Sequence, residues 1–564
     1  MINIFLLSFF SSVYLICAGS LFYQQNIKEI NEIYSSIFFG SCILAFIGVL
    51  FNFYTPLNTN INTIIFFIIL VIGFFLILKK GNLYKVIFCS ILISFISTLI
   101  LSYDTIYRPD ANLYHLPFTQ IINENKVIFG ISNIHFRFGH ISVLQYLNAI
   151  FNNVLFNEKG ILIPAAIIFS SVVLYFSNEI IRHFKKNKIY TYFIFLILAY
   201  ILYGYNRYSE FGNDTIAHLF FFIICSFFLK DDYEKDVNTA DFTKILILSL
   251  FCFMLKTSLI FVFIIPFYIF IFYFKKELIF NFSNILIILI TLSWFAKNII
   301  ISGCLIYPVE ITCFEEFSWF SNDLNHLISA KAQSLDNEAW TKGWPDYKGP
   351  SVTQEKYVEN FYWLQTWLSV HGLVIFKKIS IFLAIILILN FSLKKIKTDE
   401  TIKNIRFNKK IYFLFLLSLI FVLIWFIRFP VFRYGSSYIV ILIICLSTIF
   451  AIKNDFFNKK IDKFQKYLKI CMIIFFVLFS LKHALRIYKN YDNLLTDNAW
   501  PEFPKKEDTK NISKPISLNG KFAYYSLIGG NDGCGYTLSP CTHFSIKNVY
   551  QKEINGYKFF LIEK

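Results

Sequence analysis

The chain has 564 residues and a formal charge of +17, and 56% of its residues are hydrophobic. Charged residues make up only 16%, whereas a typical soluble protein carries about 25%. The apolar residues come in blocks of roughly 15–23, close to the ~20 that a helix needs to cross a bilayer. These properties exclude a soluble globular protein. The unbroken apolar runs also exclude a β-barrel, whose strands alternate in polarity.

The positive charge does not indicate nucleic-acid binding. The lysines lie in short loops between apolar runs, which is the pattern of cytoplasmic loops in membrane proteins. We therefore expect membrane lipids and no nucleic acid among the partners. The basic loops at 182–188, 394–410 and 453–469 are predicted to be cytoplasmic.

The order of the apolar runs predicts an all-α polytopic membrane protein with roughly 12–14 transmembrane helices. The runs lie at 2–23, 35–54, 64–78, 86–102, 160–181, 189–204, 215–229, 243–255, 257–274, 280–297, 373–393, 411–427, 434–452 and 470–486. Residues 1–85 form an N-terminal group of helices, and residues 86–486 form the core. Polar, strand-like pieces predict a small extracytoplasmic α/β or β domain at 487–564.

Two long loops interrupt the core on the side opposite the basic loops. The alternation of spans places the loops 103–159 and 298–371 outside the cytoplasm. Within the first loop, residues 140–156 are amphipathic, which predicts a helix lying along the membrane surface. The second loop is rich in tryptophan, tyrosine and acidic residues.

Polar residues of unusual type gather in these predicted extracytoplasmic segments. Ionisable groups at the edge of a bilayer are energetically costly and are usually functional. Any single one of these residues could equally belong to an ordinary solvated loop. The candidates are Asp104, Asp110, Tyr114, His115, His135, Arg137, Arg207, Asp214, Lys256, Arg428 and Arg433. We expect Lys256, which separates two apolar runs, to meet an acid of an outer loop or a substrate phosphate. The alternative is that its ammonium reaches the interface as an ordinary flanking charge.

Carboxylates with nearby cations suit one class of reaction. An attacking hydroxyl needs a base to take its proton, and Asp or Glu supplies it. A phosphate leaving group needs positive charge where negative charge develops, and Arg or Lys supplies that. Aromatic loop residues offer apolar faces for sugar rings. The chain has no motif for nucleotide binding, zinc-dependent proteolysis or serine hydrolysis.

Four of the eleven cysteines lie outside the apolar runs, in two close pairs. Their spacing lacks the further ligands of a zinc site. In an oxidising compartment each pair is expected to form a disulfide, Cys304 with Cys313 and Cys534 with Cys541.

The segment Asp110-Ala-Asn-Leu-Tyr-His-Leu-Pro117, directly after an apolar run, resembles the first-loop acidic motif of the GT-C superfamily of membrane glycosyltransferases. Ala111 stands where that family has a second acid, and four predicted spans rather than one precede the loop. The segments at 130–139, 294–308, 428–435 and 534–542 look more narrowly like a group of uncharacterised bacterial multi-pass proteins.

The resemblance implies a GT-C-like fold in the bacterial inner membrane. It implies transfer of a sugar from a polyprenyl-phosphate-linked donor to a glycan, lipid or protein acceptor on the extracytoplasmic face. Asp110 would be the general base, with Asp104 as the competing candidate. No cofactor is assigned with certainty, and a divalent metal stays open. The alternatives are a lipid-linked oligosaccharide polymerase or ligase, such as one for O-antigen or capsule, and a polysaccharide or lipid transporter without chemistry.

Overall fold

The computed structural model of the protein describes most of the chain. The described residues are 1–22, 29–104, 110–140, 142–205, 211–230, 239–273, 282–320, 329–394, 409–454, 456–458, 461–491, 499–500, 513–517, 523–527, 534–536, 539–542 and 549–562. Arg207 and most of the basic loop 394–410 therefore lie outside the described residues.

Helices dominate the described chain. The long helices are α1 (Ile2–Ser20), α2 (Ile30–Asn52), α3 (Thr59–Lys80), α4 (Leu83–Leu101), α7 (Ile163–His183), α8 (Lys188–Gly204), α9 (Asp214–Lys230), α10 (Thr239–Leu255), α12 (Phe282–Ser302), α16 (Leu373–Lys394), α17 (Lys409–Arg428), α18 (Phe432–Lys453) and α19 (Ile461–Tyr491). The shorter ones are α5 (Leu116–Glu124), α6 (Val143–Ile150), α11 (Ile264–Phe272), α13 (Ala330–Thr341), α14 (Gln354–Glu359) and α15 (Trp363–Trp367).

Within the described residues, 10 helical segments are long and apolar enough to cross a membrane. Shorter apolar helices lie among them, and α8, α9 and α10 have 17 residues each. The prediction of an all-α multi-pass protein is confirmed at this level. The helices α8 to α10 form part of the interior, since most of their residues are buried: 14 of 17 in α8, 14 of 17 in α9 and 12 of 17 in α10.

Hydrogen bonds sort the connecting segments into two ends of the bundle. At one end, the amide of Gly130 donates to Ile300 O at 2.8 Å, and that of Gly535 donates to Asn112 O at 2.9 Å. At the other end, Lys188 Nζ donates to Phe457 O at 2.8 Å. We call these the Asp110 end and the Glu179 end. The predicted sidedness of these segments stays a prediction.

A buried carboxylate joins four helices at the Glu179 end. The Glu179 side chain of α7 is fully buried. It accepts hydrogen bonds from Asn31 of α2, from the Tyr190 hydroxyl of α8 at 2.8 Å, and from Lys230 of α9 at 3.0 Å. Breaking such a pair by removing one partner is costly, because the other charge stays buried. The cluster therefore fixes the relative positions of these helices.

The helix α6 departs from the sequence prediction. We predicted that residues 140–156 lie along the membrane surface, but every residue of α6 is buried. Its polar side chains are not directed to water: Gln145, for example, is buried and contacts His115. The prediction of a surface helix is wrong. Polar residues on one face of a helix are expected both when that face meets water and when it forms hydrogen bonds inside a protein, so the amphipathic pattern does not distinguish the two cases.

The C-terminal part forms small sheets at the Asp110 end. The strands are β1 (Ser513–Ser517), β2 (Ala523–Leu527), β3 (Cys541–Thr542), β4 (Val549–Ile554) and β5 (Tyr557–Ile562). The strands β1 and β2 are antiparallel, β2 and β3 are parallel, and β4 and β5 form an antiparallel hairpin. The hairpin docks on the first loop, since Phe129 N donates to Lys558 O and Phe560 N donates to Phe129 O, both at 2.9 Å.

Both outer cysteine pairs are bonded. The sulfur atoms of Cys304 and Cys313 lie 2.06 Å apart, and those of Cys534 and Cys541 lie 1.97 Å apart. The second bond closes the segment that carries Gly535 and Tyr536, the residues that contact the first loop.

Candidate functional site

Arg433 lies at the centre of a charged cluster at the Asp110 end. Pro430 has no N–H to continue a helix, so α17 ends and α18 starts afresh at Phe432. The indole N–H of Trp367 donates to Pro430 O at 2.6 Å, and that of Trp425 donates to Val431 O at 2.9 Å. These bonds fix the turn immediately before Arg433.

Two carboxylates from distant parts of the chain meet this arginine. Arg433 Nη1 lies 3.1 Å from Asp110 Oδ2, and Arg433 Nε lies 4.0 Å from Asp214 Oδ2. The side chain of Asp110 is 42% exposed and that of Asp214 is 27% exposed. Asp110 is thus the carboxylate that solvent or a substrate reaches more easily.

Lys256 completes the cluster from the junction that follows α10. Its ammonium forms a hydrogen-bonded ion pair with Asp214 and donates to Arg433 O at 3.1 Å. It also lies 4.3 Å from the ring centroid of Tyr434, where the electron-rich face attracts a cation. The side chain is only 7% exposed, so it is held inside the cluster. We call Asp110, Asp214, Lys256 and Arg433 the Arg433 cluster.

His218, one turn after Asp214 on α9, supports the backbone of the cluster. Its Nε2 lies 2.8 Å from Arg433 O, and its Nδ1 lies 2.9 Å from Ser437 Oγ. A carbonyl oxygen only accepts, so Nε2 carries a proton and donates to Arg433 O, while Nδ1 forms a hydrogen bond with the Ser437 hydroxyl. His218 therefore acts as a positioning group for the backbone that carries Arg433.

Asp110 introduces a continuous helical segment that supplies two further candidates. Ala111–His115 forms one turn of π-helix and leads into α5. Burial raises the pKa of the Tyr114 hydroxyl well above its usual range, and the Asp110 carboxylate adds to this while Arg137 and Arg433 oppose it. Burial lowers the pKa of His115 to about 4. His115 is thus neutral near pH 7, with Nδ1 accepting from Gln145 Nε2 at 2.8 Å.

Aromatic rings surround the guanidinium groups of the site. Arg433 lies 5.1 Å from the ring centroid of Trp340 in α13 and 5.3 Å from that of Tyr434. Arg137 lies 5.8 Å from the centroid of Tyr114. Trp340 as a whole residue is 37% exposed, so part of this apolar side chain is accessible beside the charges.

Other predicted site residues lie at the margin of the cluster. Arg428 is largely exposed and pairs with Glu338 at 3.7 Å, so it lies on the α13 side of the site. His135 is buried, with its ring 6.3 Å from that of Tyr114, and its Nδ1 accepts from Arg137 N at 3.1 Å.

Asp104 lies in a different environment. Its buried carboxylate is 3.6 Å from Arg486 Nη1 of α19, and the same guanidinium donates to Leu99 O and Ser102 O at the end of α4. In these contacts Asp104 ties α4 to α19 and does not meet the Arg433 cluster. Its position is that of a structural ion pair, whereas Asp110 is accessible.

Sequence reasoning did not assign Tyr434, His218 or Trp340. The tyrosine directly follows Arg433, and the histidine lies four residues after Asp214, which is a helical spacing that the sequence displays. Trp340 belonged to the predicted aromatic loop, but nothing in the sequence distinguishes it from the loop's other tryptophans. Within the described residues, no group of three or more His, Cys, Asp or Glu side chains is placed to hold a metal ion.

The fold and the site define a helical multi-pass membrane protein with a charged, aromatic-lined cluster at one end of its bundle. The chain belongs to a family described as a domain of unknown function (DUF8201), which matches residues 1–440. That range includes all four residues of the Arg433 cluster. No curated protein matches the chain, and no solved structure matches it.

Proposed function

We propose that the protein is a membrane glycosyltransferase that moves a sugar from a polyprenyl-phosphate-linked donor to a glycan, lipid or protein acceptor. The observation that carries the proposal is the pairing of an accessible carboxylate, Asp110, with Arg433 at 3.1 Å, while Lys256 adds a second cation. A base and phosphate-binding cations within one cluster are what such a transfer requires.

The proposed step is a displacement at the anomeric carbon of the donor sugar. Asp110 takes the proton of the acceptor hydroxyl as its oxygen forms a bond to that carbon. The bond from the carbon to the phosphate oxygen breaks, and the polyprenyl phosphate leaves with the electron pair. Arg433 and Lys256 stabilise the leaving phosphate, which gains negative charge in the transition state. The exposed face of Trp340 offers a surface for a sugar ring.

The proposal places the reaction on the extracytoplasmic face of a bacterial inner membrane. The basic residues at the Glu179 end support this orientation, since cytoplasmic loops carry the excess of lysine and arginine. The donor would then approach from the outer leaflet, with its phosphate at the level of the Asp110 end.

The test compares Asp110→Asn with Asp336→Asn, an exposed aspartate of α13 outside the cluster. Both purified variants receive a polyprenyl-phosphate-linked sugar and an acceptor mixture in lipid nanodiscs. We expect Asp110→Asn to lower transfer by about 10²–10⁴-fold, because asparagine keeps the shape but cannot take the proton. Binding of the donor phosphate should persist, since the cluster loses one negative charge.

Full transfer by Asp110→Asn would contradict the assignment of the base. If Asp214→Asn then abolishes transfer, the role belongs to Asp214. A graded loss of lipid or glycan movement, with no glycosidic product from the wild-type protein, would favour a transporter instead.

A further inference from the structure

A cavity at the Asp110 end has no part in the proposed reaction. Its volume is about 580 Å³, within the range of small-ligand sites. It lies between the start of α1, the start of α3, the end of α5, the segment after α6, and the C-terminal segment around Tyr536. The lining is Leu7, Asn58, Thr59, Asn123, Glu124, Asn152, Leu155, Phe156, Asn157, Glu158, Lys159 and Tyr536.

The cavity is separate from the Arg433 cluster. Asp110 introduces and Glu124 ends one continuous helical segment. At 1.5 Å per residue, these two residues lie roughly 20 Å apart. A ligand of ordinary size in the cavity therefore does not reach the carboxylate of Asp110.

The mouth of the cavity borders a surface that faces lipid. Exposed apolar side chains flank it: Leu6 of α1 is 46% exposed, and Val154 and Leu155 are 59% and 41% exposed. The helices α1 and α3 both qualify as membrane spans, and both begin at this cavity. A polar cavity where spans begin lies at the depth of lipid headgroups.

The polar wall is fixed by hydrogen bonds. Asn123 Nδ2 donates to Leu57 O at 2.5 Å and to Ala149 O at 3.0 Å. The Tyr536 hydroxyl donates to Asn123 Oδ1 at 2.9 Å and accepts from Asn152 Nδ2 at 2.9 Å. The asparagines are buried, so the wall is formed before any ligand arrives. Such preorganisation lowers the entropic cost of binding.

The charges of the lining suit a zwitterion. The carboxylates of Glu124 and Glu158 both raise the pKa of the Tyr536 hydroxyl, after the larger effect of burial, so both act on the same wall. Lys159 adds one positive charge and lies 5.5 Å from the ring centroid of Trp500. The lining thus carries two acids and one base, and a further cation, Lys558, lies close enough to Glu124 for that carboxylate to raise its pKa against the effect of burial. Charges of both signs favour a ligand that carries an ammonium next to a phosphate.

We propose that this cavity binds the headgroup of an aminophospholipid. Glu124 and Glu158 receive the primary ammonium, and Lys159 contacts the phosphate. The acyl chains extend along the exposed apolar faces of α1 and α3. The Asn152 and Tyr536 side chains border the remaining polar atoms of the headgroup.

Native mass spectrometry of the full-length protein in detergent tests the proposal. Phosphatidylethanolamine, phosphatidylcholine and phosphatidylglycerol are titrated separately. We expect the wild-type protein to prefer phosphatidylethanolamine, whose ammonium donates hydrogen bonds that a trimethylated one cannot. The double variant Glu124→Gln/Glu158→Gln should bind it roughly tenfold more weakly, because two partly exposed charge pairs are lost.

The matched control is Glu315→Gln/Glu316→Gln, a pair of exposed acids on another loop at the same end, which should leave lipid binding unchanged. Lys159→Gln is a second variant and should also weaken binding. Lys159 is exposed, so this substitution leaves the hydrogen bonds of the cavity wall intact. Equal binding of all three lipids by the wild-type protein would overturn the proposal. So would unchanged phosphatidylethanolamine binding in both cavity variants, or binding of free oligosaccharides in preference to lipid.

Discussion

The ion pair between Lys256 and Asp214 allows a quantitative test of the cluster. Charges about 4 Å apart attract by about 4 kcal/mol at an effective dielectric constant of ~20. Water at the 27% exposed Asp214 side chain reduces this, and we take about 2 kcal/mol as the coupling. Lys256→Met leaves the carboxylate with Arg433 alone. Asp214→Asn leaves a buried ammonium without its anion, so we expect each single change to cost about 2–4 kcal/mol.

The double variant Asp214→Asn/Lys256→Met should lose about 2 kcal/mol less free energy of unfolding than the two single variants lose in sum, and this difference is the coupling energy of the pair. The free energy of unfolding is measured for each protein in mild detergent, by titrating it with the denaturing detergent dodecyl sulfate. The control cycle uses Lys244 and Asp241, a pair at 2.8 Å within one helix, for which we expect less than about 0.5 kcal/mol. A coupling at Lys256 no larger than that of the control would refute the reasoning.

Three further outcomes are expected. Arg486→Met should lower the free energy of unfolding by about 3 kcal/mol, because the Asp104 carboxylate then stays buried without its cation. Adding Asp104→Asn to the same chain should restore part of that loss. An unchanged free energy of unfolding in Arg486→Met would contradict the structural role of the pair. The pKa of His115 is lowered to about 4 by burial, so the unfolded chain binds the extra proton between pH 6.5 and 4, and stability should fall as the pH drops through that window. The fall should be smaller in His115→Gln but still present, because burial also lowers the pKa of His140; an equal fall in both proteins would contradict the role of His115. Cys534→Ser/Cys541→Ser should lower the stability of the C-terminal segment by about 2–3 kcal/mol. Limited proteolysis measures this as faster cleavage of the segment, and equal cleavage of the variant and the wild-type protein would contradict it.

The helices could be located from the sequence because the bilayer sets their length. The run predicted at 189–204 is α8, Lys188–Gly204, and the run at 434–452 is α18, Phe432–Lys453. A continuous apolar block is a local signal, and it does not depend on the neighbours of the helix. The burial of α6 does depend on neighbours, so its amphipathic pattern alone could not distinguish an interior helix from a surface helix.

The composition of the site could be predicted, and so could the pairing of Lys256 with an acid of an outer loop, which is Asp214; the other pairings could not. The residues of the Arg433 cluster were all candidates, because charge at the end of an apolar run is conspicuous. The motif resemblance favoured Asp110 over Asp104, six positions earlier, but the residue types alone did not show which of the two is accessible. That difference depends on Arg486, which α19 brings to the end of α4 across most of the chain. Partner choice of this kind is a property of tertiary packing.

The 17-residue helices at the centre of the bundle have a consequence for the charges at their ends. At 1.5 Å per residue each is about 25 Å long, shorter than the ~30 Å of a hydrocarbon core. The neighbouring α2, with 23 residues, is about 34 Å long. Asp214 begins one of these helices, and Lys256 directly follows another. Because helices of this length leave their ends less reach to water than a full-length span does, the pair gains from neutralising each other's charge, since ionisable groups within hydrocarbon are costly unless they are paired.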